Sequence, residues 1–176
     1  MSLSVEDIKD YKSLDISNIV FSDPKKTRGS YISLGYYNDS SLNPLIIQTP
    51  KLKICGGVNK SDTRAFIDLE FDKSHWAFYE FMTSIDEHNI IYIQKHSKKW
   101  FNKTFPLDVV DDFYTTPVKT ARKKNPPKLK LKLPISKGMI DTNIYDLGNN
   151  LIDYRDVISD SKIVATIKLL GLRFLK

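Results

Sequence analysis

The stretch Lys95-His96-Ser97-Lys98-Lys99-Trp100-Phe101-Asn102-Lys103-Thr104-Phe105 interleaves cations with aromatic rings. A site for single-stranded nucleic acid needs both, cations for the phosphates and flat rings for the bases. Tyr114 and Lys119 follow, then the basic run Arg122-Lys123-Lys124, then Lys128, Lys130 and Lys132 alternating with Leu129, Leu131 and Leu133. On a strand that alternation puts three ammoniums on one face, about 6.6–6.8 Å apart, close to the interval of phosphates in an extended single strand. The candidate nucleic-acid-binding residues are therefore Lys95, Lys98, Lys99, Trp100, Phe101, Lys103, Tyr114, Lys119, Arg122, Lys123, Lys124, Lys128, Lys130 and Lys132. The plain alternatives are core packing for Trp100 and edge protection against aggregation for the lysine row.

Other chemistries fit less well. Asp68, Glu70 and Asp72 put carboxylates on one side of a strand, as in a metal-dependent nuclease. The expectation is that they form a solvated strand face leading into a helix cap. His75, His88 and His96 are too widely spaced for a zinc motif, and paired cysteines are missing. Cys55 reads as a packed thiol. Gly56-Gly57 lacks the downstream Gly-Lys-Ser/Thr of a phosphate loop. No catalytic residue, metal or cofactor is expected, and the chain reads as a non-enzyme.

The charge supports a polyanion partner. The 176 residues hold 27 Lys+Arg and 21 Asp+Glu, net +6, with a pI of about 9.2. Residues 95–138 carry 12 basic and 3 acidic groups, whereas residues 61–94 carry 2 and 7. Such segregation points to a basic face. No run is apolar enough to span a membrane, the N-terminus is acidic where a signal peptide would be basic, and one cysteine fits a reducing compartment.

The elements that must carry these residues read as follows. Short strands are expected at 18–21, 31–37, 45–47 and 52–54, with Gly56-Gly57 as a turn. Residues 65–71 alternate as a half-buried strand. Helical spacing runs over 74–100, capped by Asp72 or Ser74, with a place to bend at Ile90-Ile91-Tyr92-Ile93. A second short helix covers 107–114, and residues 119–127 form an exposed basic loop. A strand is expected over 163–174, with Gly171 at a bulge. Strands outnumber helices, so the expected fold is mainly β: a single OB-fold-like barrel over 1–176 with one long and one short α-helix inserted.

Several of these runs occur together in order: Lys99-Trp100-Phe101, Leu107-Asp108-Val109-Val110, Phe113-Tyr114, Pro117-Val118-Lys119, and Pro126-Pro127 leading through Lys128 to Pro134. Over roughly 74–134 the chain resembles the single-stranded DNA-binding proteins of nucleocytoplasmic large DNA viruses, with the Lys-, Ile-, Asn- and Tyr-rich texture of their African swine fever virus branch. The resemblance implies an OB-fold that coats exposed viral DNA during replication, repair or recombination, without strong sequence preference. It also implies residence in the host cytoplasm and viral replication proteins as partners. The expected ligand is single-stranded DNA, with RNA as the second choice and no membrane. Many such proteins end in an acidic tail, and Arg173-Phe174-Leu175-Lys176 departs from that pattern. The competing readings are a basic protein-interaction or structural module and a nuclease using Asp68 and Glu70.

Overall fold

The computed structural model describes residues 8–39, 41–120 and 125–175. Among these residues eight strands lie before the long helix: β1 (Ile8–Lys9), β2 (Ile19–Phe21), β3 (Lys25–Thr27), β4 (Ser30–Asn38), β5 (Leu42–Asn43), β6 (Ile46–Gln48), β7 (Leu52–Lys60) and β8 (Ala65–Glu70). Helices α1 (Trp76–Phe101) and α2 (Leu107–Phe113) follow. Then come β9 (Val118–Lys119), β10 (Lys128–Leu133), β11 (Ile135–Ser136), β12 (Met139–Ile140), β13 (Ile144–Tyr145), β14 (Leu151–Ile152), β15 (Lys162–Ile163), β16 (Thr166–Lys168) and β17 (Gly171–Leu175). The chain is mainly β with two α-helices, as the sequence predicts. Among the described residues the strands pair in several separate sheets and do not close into the expected barrel. No helix among the described residues is long and apolar enough to cross a membrane.

The chain divides into two compact units. The first takes residues 1–49, 80–115 and 166–176, and the second takes 50–79 and 116–165. In the first unit β4 is the central strand. Its first half pairs with β3 on one edge and β17 on the other, and its second half with β2 and β5. A smaller sheet runs β1-β6-β16, with β1 parallel to β6. Ile19, Phe21, Leu45, Ile46, Ile47, Phe81, Met82, Ile85, Ile93 and Leu172 are buried in this unit. The second unit is built on one antiparallel sheet in the order β15-β7-β8-β10-β9.

Several local expectations change. Gly56-Gly57 is no turn: both glycines have positive φ inside β7, where the register against β8 slips between Cys55 and Asn59. Glycine suits such a bulge because it alone enters that region without steric cost. The stretch 163–174 is broken into β15, β16 and β17, which join three different sheets. The helix does not break at Ile90–Ile93 but runs on to Phe101. Its entry is a 3-10 turn, Lys73–His75, capped by Asp72 accepting from the Ser74 amide at 2.8 Å.

Gly171 opens β17 at φ 120°, and a Cβ there would lie 2.0 Å from the Ser33 carbonyl oxygen of β4. At Gly29, also at positive φ, a Cβ would meet nothing within 4 Å. Gly171→Ala is expected to lose about 2 kcal/mol or more of stability, and Gly29→Ala only about 1 kcal/mol. Urea denaturation midpoints at equal m-value check the ranking.

Candidate nucleic-acid interface

The period of two sorts the second unit's sheet into two faces. Leu129 lies opposite Leu69 and Val118, Leu69 opposite Ile54, and Leu131 opposite Ile67. Leu52, Ile54, Leu69 and Leu129 are fully buried. Residues of the other parity must then share the opposite face. There Lys119, Lys128, Glu70, Lys53 and Lys162 form one row across all five strands, each in register with the next. The next rows hold Lys130, Asp68 and Cys55, then Lys132, Phe66 and Asn59. Six lysines therefore face outward, with two carboxylates in the rows and Asp160 reaching Lys53 at 3.5 Å.

The carboxylates are not the solvated pair expected from the sequence. Glu70 Oε1 takes the Lys53 ammonium at 3.0 Å, and its Oε2 accepts from Cys55 Sγ at 3.4 Å. Asp68 has one oxygen, Oδ1, shut away from solvent with no hydrogen-bond partner among the described residues. The physical reason is the pairing itself: each acid is flanked by side chains of neighbouring strands, which the sequence order does not reveal. Burial pushes the Cys55 thiol pKa up, and the Glu70 hydrogen bond adds to it, so the thiol stays protonated. Glu70 raises the Lys53 pKa.

The Lys130 ammonium sits 3.9 Å from the centre of the Phe66 ring. Partial desolvation lowers its pKa, and the neighbouring Lys119 lowers it further. Among the described residues no ion pair engages Lys119, Lys128, Lys130 or Lys132. Asp68, opposite Lys130, offsets part of this by raising the Lys130 pKa, but the lysines outnumber the acids on the face, an arrangement that an incoming polyanion relieves.

The aromatic-basic run at the end of α1 belongs to the first unit and has local partners. Lys99 Nζ meets Asp23 Oδ1 at 2.7 Å, and Trp100 Nε1 donates to the same oxygen at 3.0 Å. Those two hydrogen bonds, Lys99 first, hold the Asp23 carboxyl below its usual range. Trp100 also stacks on His96, with 5.3 Å between centroids, and meets Phe174 edge-on at 5.9 Å. Tyr92 extends this ladder one turn earlier, 4.0 Å from His96. Phe101 meets Phe174 at 5.0 Å. Lys98 donates to the Asn102 carbonyl at 3.3 Å, where a helix C-terminus favours cations. Lys103 lies over the Phe105 ring at 5.6 Å, and Lys95 is exposed.

Tyr114 has an internal role. Its hydroxyl donates to Asp86 Oδ1 at 2.8 Å and accepts from Asn89 Nδ2 at 2.8 Å. Burial first, and the Asp86 charge second, push the phenol pKa up, so it remains a donor. Arg122, Lys123 and Lys124 lie outside the described residues. The sequence-predicted residues thus divide between two units: Lys95, Lys98, Lys99, Trp100, Phe101, Lys103 and Tyr114 in the first, Lys119, Lys128, Lys130 and Lys132 in the second. Sequence reasoning missed Lys53 and Lys162, whose place in the row comes from pairing alone.

Among the described residues no group of three or more His, Cys, Asp and Glu side chains is placed to hold a metal ion. His75 pairs with Asp72, His88 with the Ile19 carbonyl, and His96 with the Tyr92 carbonyl. No family model, curated protein or solved structure matches the chain.

Tyr114→Phe removes a donor to buried Asp86 and an acceptor from buried Asn89. It is expected to cost about 1–3 kcal/mol while leaving the nucleic-acid affinity of the folded protein unchanged. Chemical denaturation and an oligonucleotide titration of the same variant check both halves.

Proposed function

We propose that this chain is a non-enzymatic single-stranded DNA-binding protein, of the kind that coats exposed viral DNA during replication, repair or recombination with little sequence preference. The observation that carries the reading is the row Lys119–Lys128–Glu70–Lys53–Lys162, with Lys130 and Lys132 on the same face. A phosphate backbone laid on that face exchanges condensed counterions for fixed ammoniums, which drives binding without reading sequence. In this reading the open sheet takes the part that a curved OB-type face plays in the viral family, offering cations to the backbone and rings to the bases. Host cytoplasm is the corresponding location, and viral replication proteins are the corresponding partners.

Two observations favour this over the alternatives. Both oxygens of Glu70 are engaged, by Lys53 and Cys55, which leaves a nuclease reading only Asp68 as a free strand carboxylate. Lys128, Lys130 and Lys132 repeat with the period of a strand, which suits a repeating polyanion better than the irregular charges of a folded acidic partner.

Titration with single-stranded and duplex oligonucleotides of equal length, at several salt concentrations, tests the proposal. The single strand should bind more tightly at moderate salt. Replacing Lys128, Lys130 and Lys132 by glutamine should make the slope of log affinity against log salt shallower by about 2, at roughly 0.7 per contact. Stability should shift by no more than about 0.5 kcal/mol per site, because the leucines hold the strand. An unchanged slope in the folded triple variant would return these lysines to edge protection.

A further inference from the structure

The second unit holds a cleft of about 280 Å³ lined by Glu70, Phe71, Asp72, Lys73, Trp76, Pro126 and Pro127. That is at the small end for a ligand pocket, so it suits a group smaller than a typical drug-sized molecule. Two of its walls have partners in the unit. Trp76 is 54% exposed, yet its ring is backed by Tyr79, with centroids 4.8 Å apart and planes 27° from parallel. Tyr79 in turn meets buried Phe71 edge-on at 5.4 Å. On the other side, the Pro127 carbonyl accepts from the Phe71 amide at 3.0 Å, which ties the two prolines to the end of β8.

The cleft and the lysine row share Glu70, which stands between Lys128 and Lys53 in the row and also lines the cleft. Lys73 adds one cation to the lining and Asp72 a second carboxylate. The two tryptophans differ. Trp100 is held by Asp23, His96 and Phe174, and Trp76, stacked on Tyr79, is 54% exposed and lines the cleft.

We propose that the slot between Trp76 and Pro126-Pro127 receives one unpaired nucleobase of a single strand whose phosphates follow the Lys119–Lys128–Lys53–Lys162 row. The inference rests on the nucleic-acid reading above and adds the residue on which a base stacks. A ring held parallel to Trp76 gains stacking that any base supplies, so the slot favours single strands over duplex without selecting sequence.

The test uses the full chain, oligothymidylate, and an abasic strand of the same length that presents phosphates without bases. Trp76→Ala should weaken oligothymidylate binding about tenfold, and Trp76→Phe should retain most of the affinity. Neither should change abasic binding, which wild type should hold more weakly than oligothymidylate. Trp emission of the wild type should fall at saturation with oligothymidylate, and that fall should be largely lost in Trp76→Phe. This second readout decides the matter even where Trp76→Ala fails to fold by circular dichroism. Unchanged affinity in folded Trp76→Ala, or full quenching in Trp76→Phe, would overturn the slot while the lysine face stands. Wild type that binds neither strand would overturn the slot together with the reading beneath it.

Discussion

Leu129 sits opposite Leu69, and Leu69 opposite Ile54, and none of the three keeps exposed surface. Each such side chain contributes about 1.5–3 kcal/mol by leaving water. That burial sets the register of β10 on β8 and of β8 on β7. Shifting β10 by one residue would turn its leucines to solvent and its lysines into the apolar layer. The outward row of ammoniums is therefore a consequence of how the core is filled. No separate device is needed to aim the cations.

The same constraint explains the electrostatics. Lys119 and Lys128 are direct cross-strand neighbours, a pairing of like charges that disfavours the sheet. Glu70 and Asp68 lie on the adjacent strand, and Glu70 compensates locally by pairing with Lys53. Glu70, Asp68 and Asp160 are too few to neutralise six lysines, so the face remains electropositive in the folded protein. The Lys130 ammonium settles over the Phe66 ring, where the negative π-face partly replaces a missing counter-charge. A polyanion would relieve the remaining repulsion.

Much of this was legible in the sequence wherever the signal was periodic and local. Alternation located β8 and β10, and helical spacing with an Asp72 cap located α1. What stayed hidden depends on partners distant in the chain. Lys53 and Lys162 carry no local sign that they join Lys128 in one row, since only strand order brings them together. Trp100 looked available for stacking because nothing nearby in sequence predicts Asp23 or Phe174 as its partners. Nothing local in the sequence marks Trp76, because Pro126-Pro127, which line the same cleft, lie fifty residues away. Gly56-Gly57 suggested a turn because positive φ serves turns and bulges alike.

Nucleic-acid binding through the sheet face makes a claim about which lysines are covered. Lysine acylation footprinting by mass spectrometry, with and without saturating oligothymidylate, reads that directly. The account predicts strong protection of Lys53, Lys119, Lys128, Lys130, Lys132 and Lys162, and less protection of Lys98 and Lys103 at the end of α1. Unchanged acylation of the six sheet lysines at saturation, with protection confined to the α1 end or absent, would contradict it.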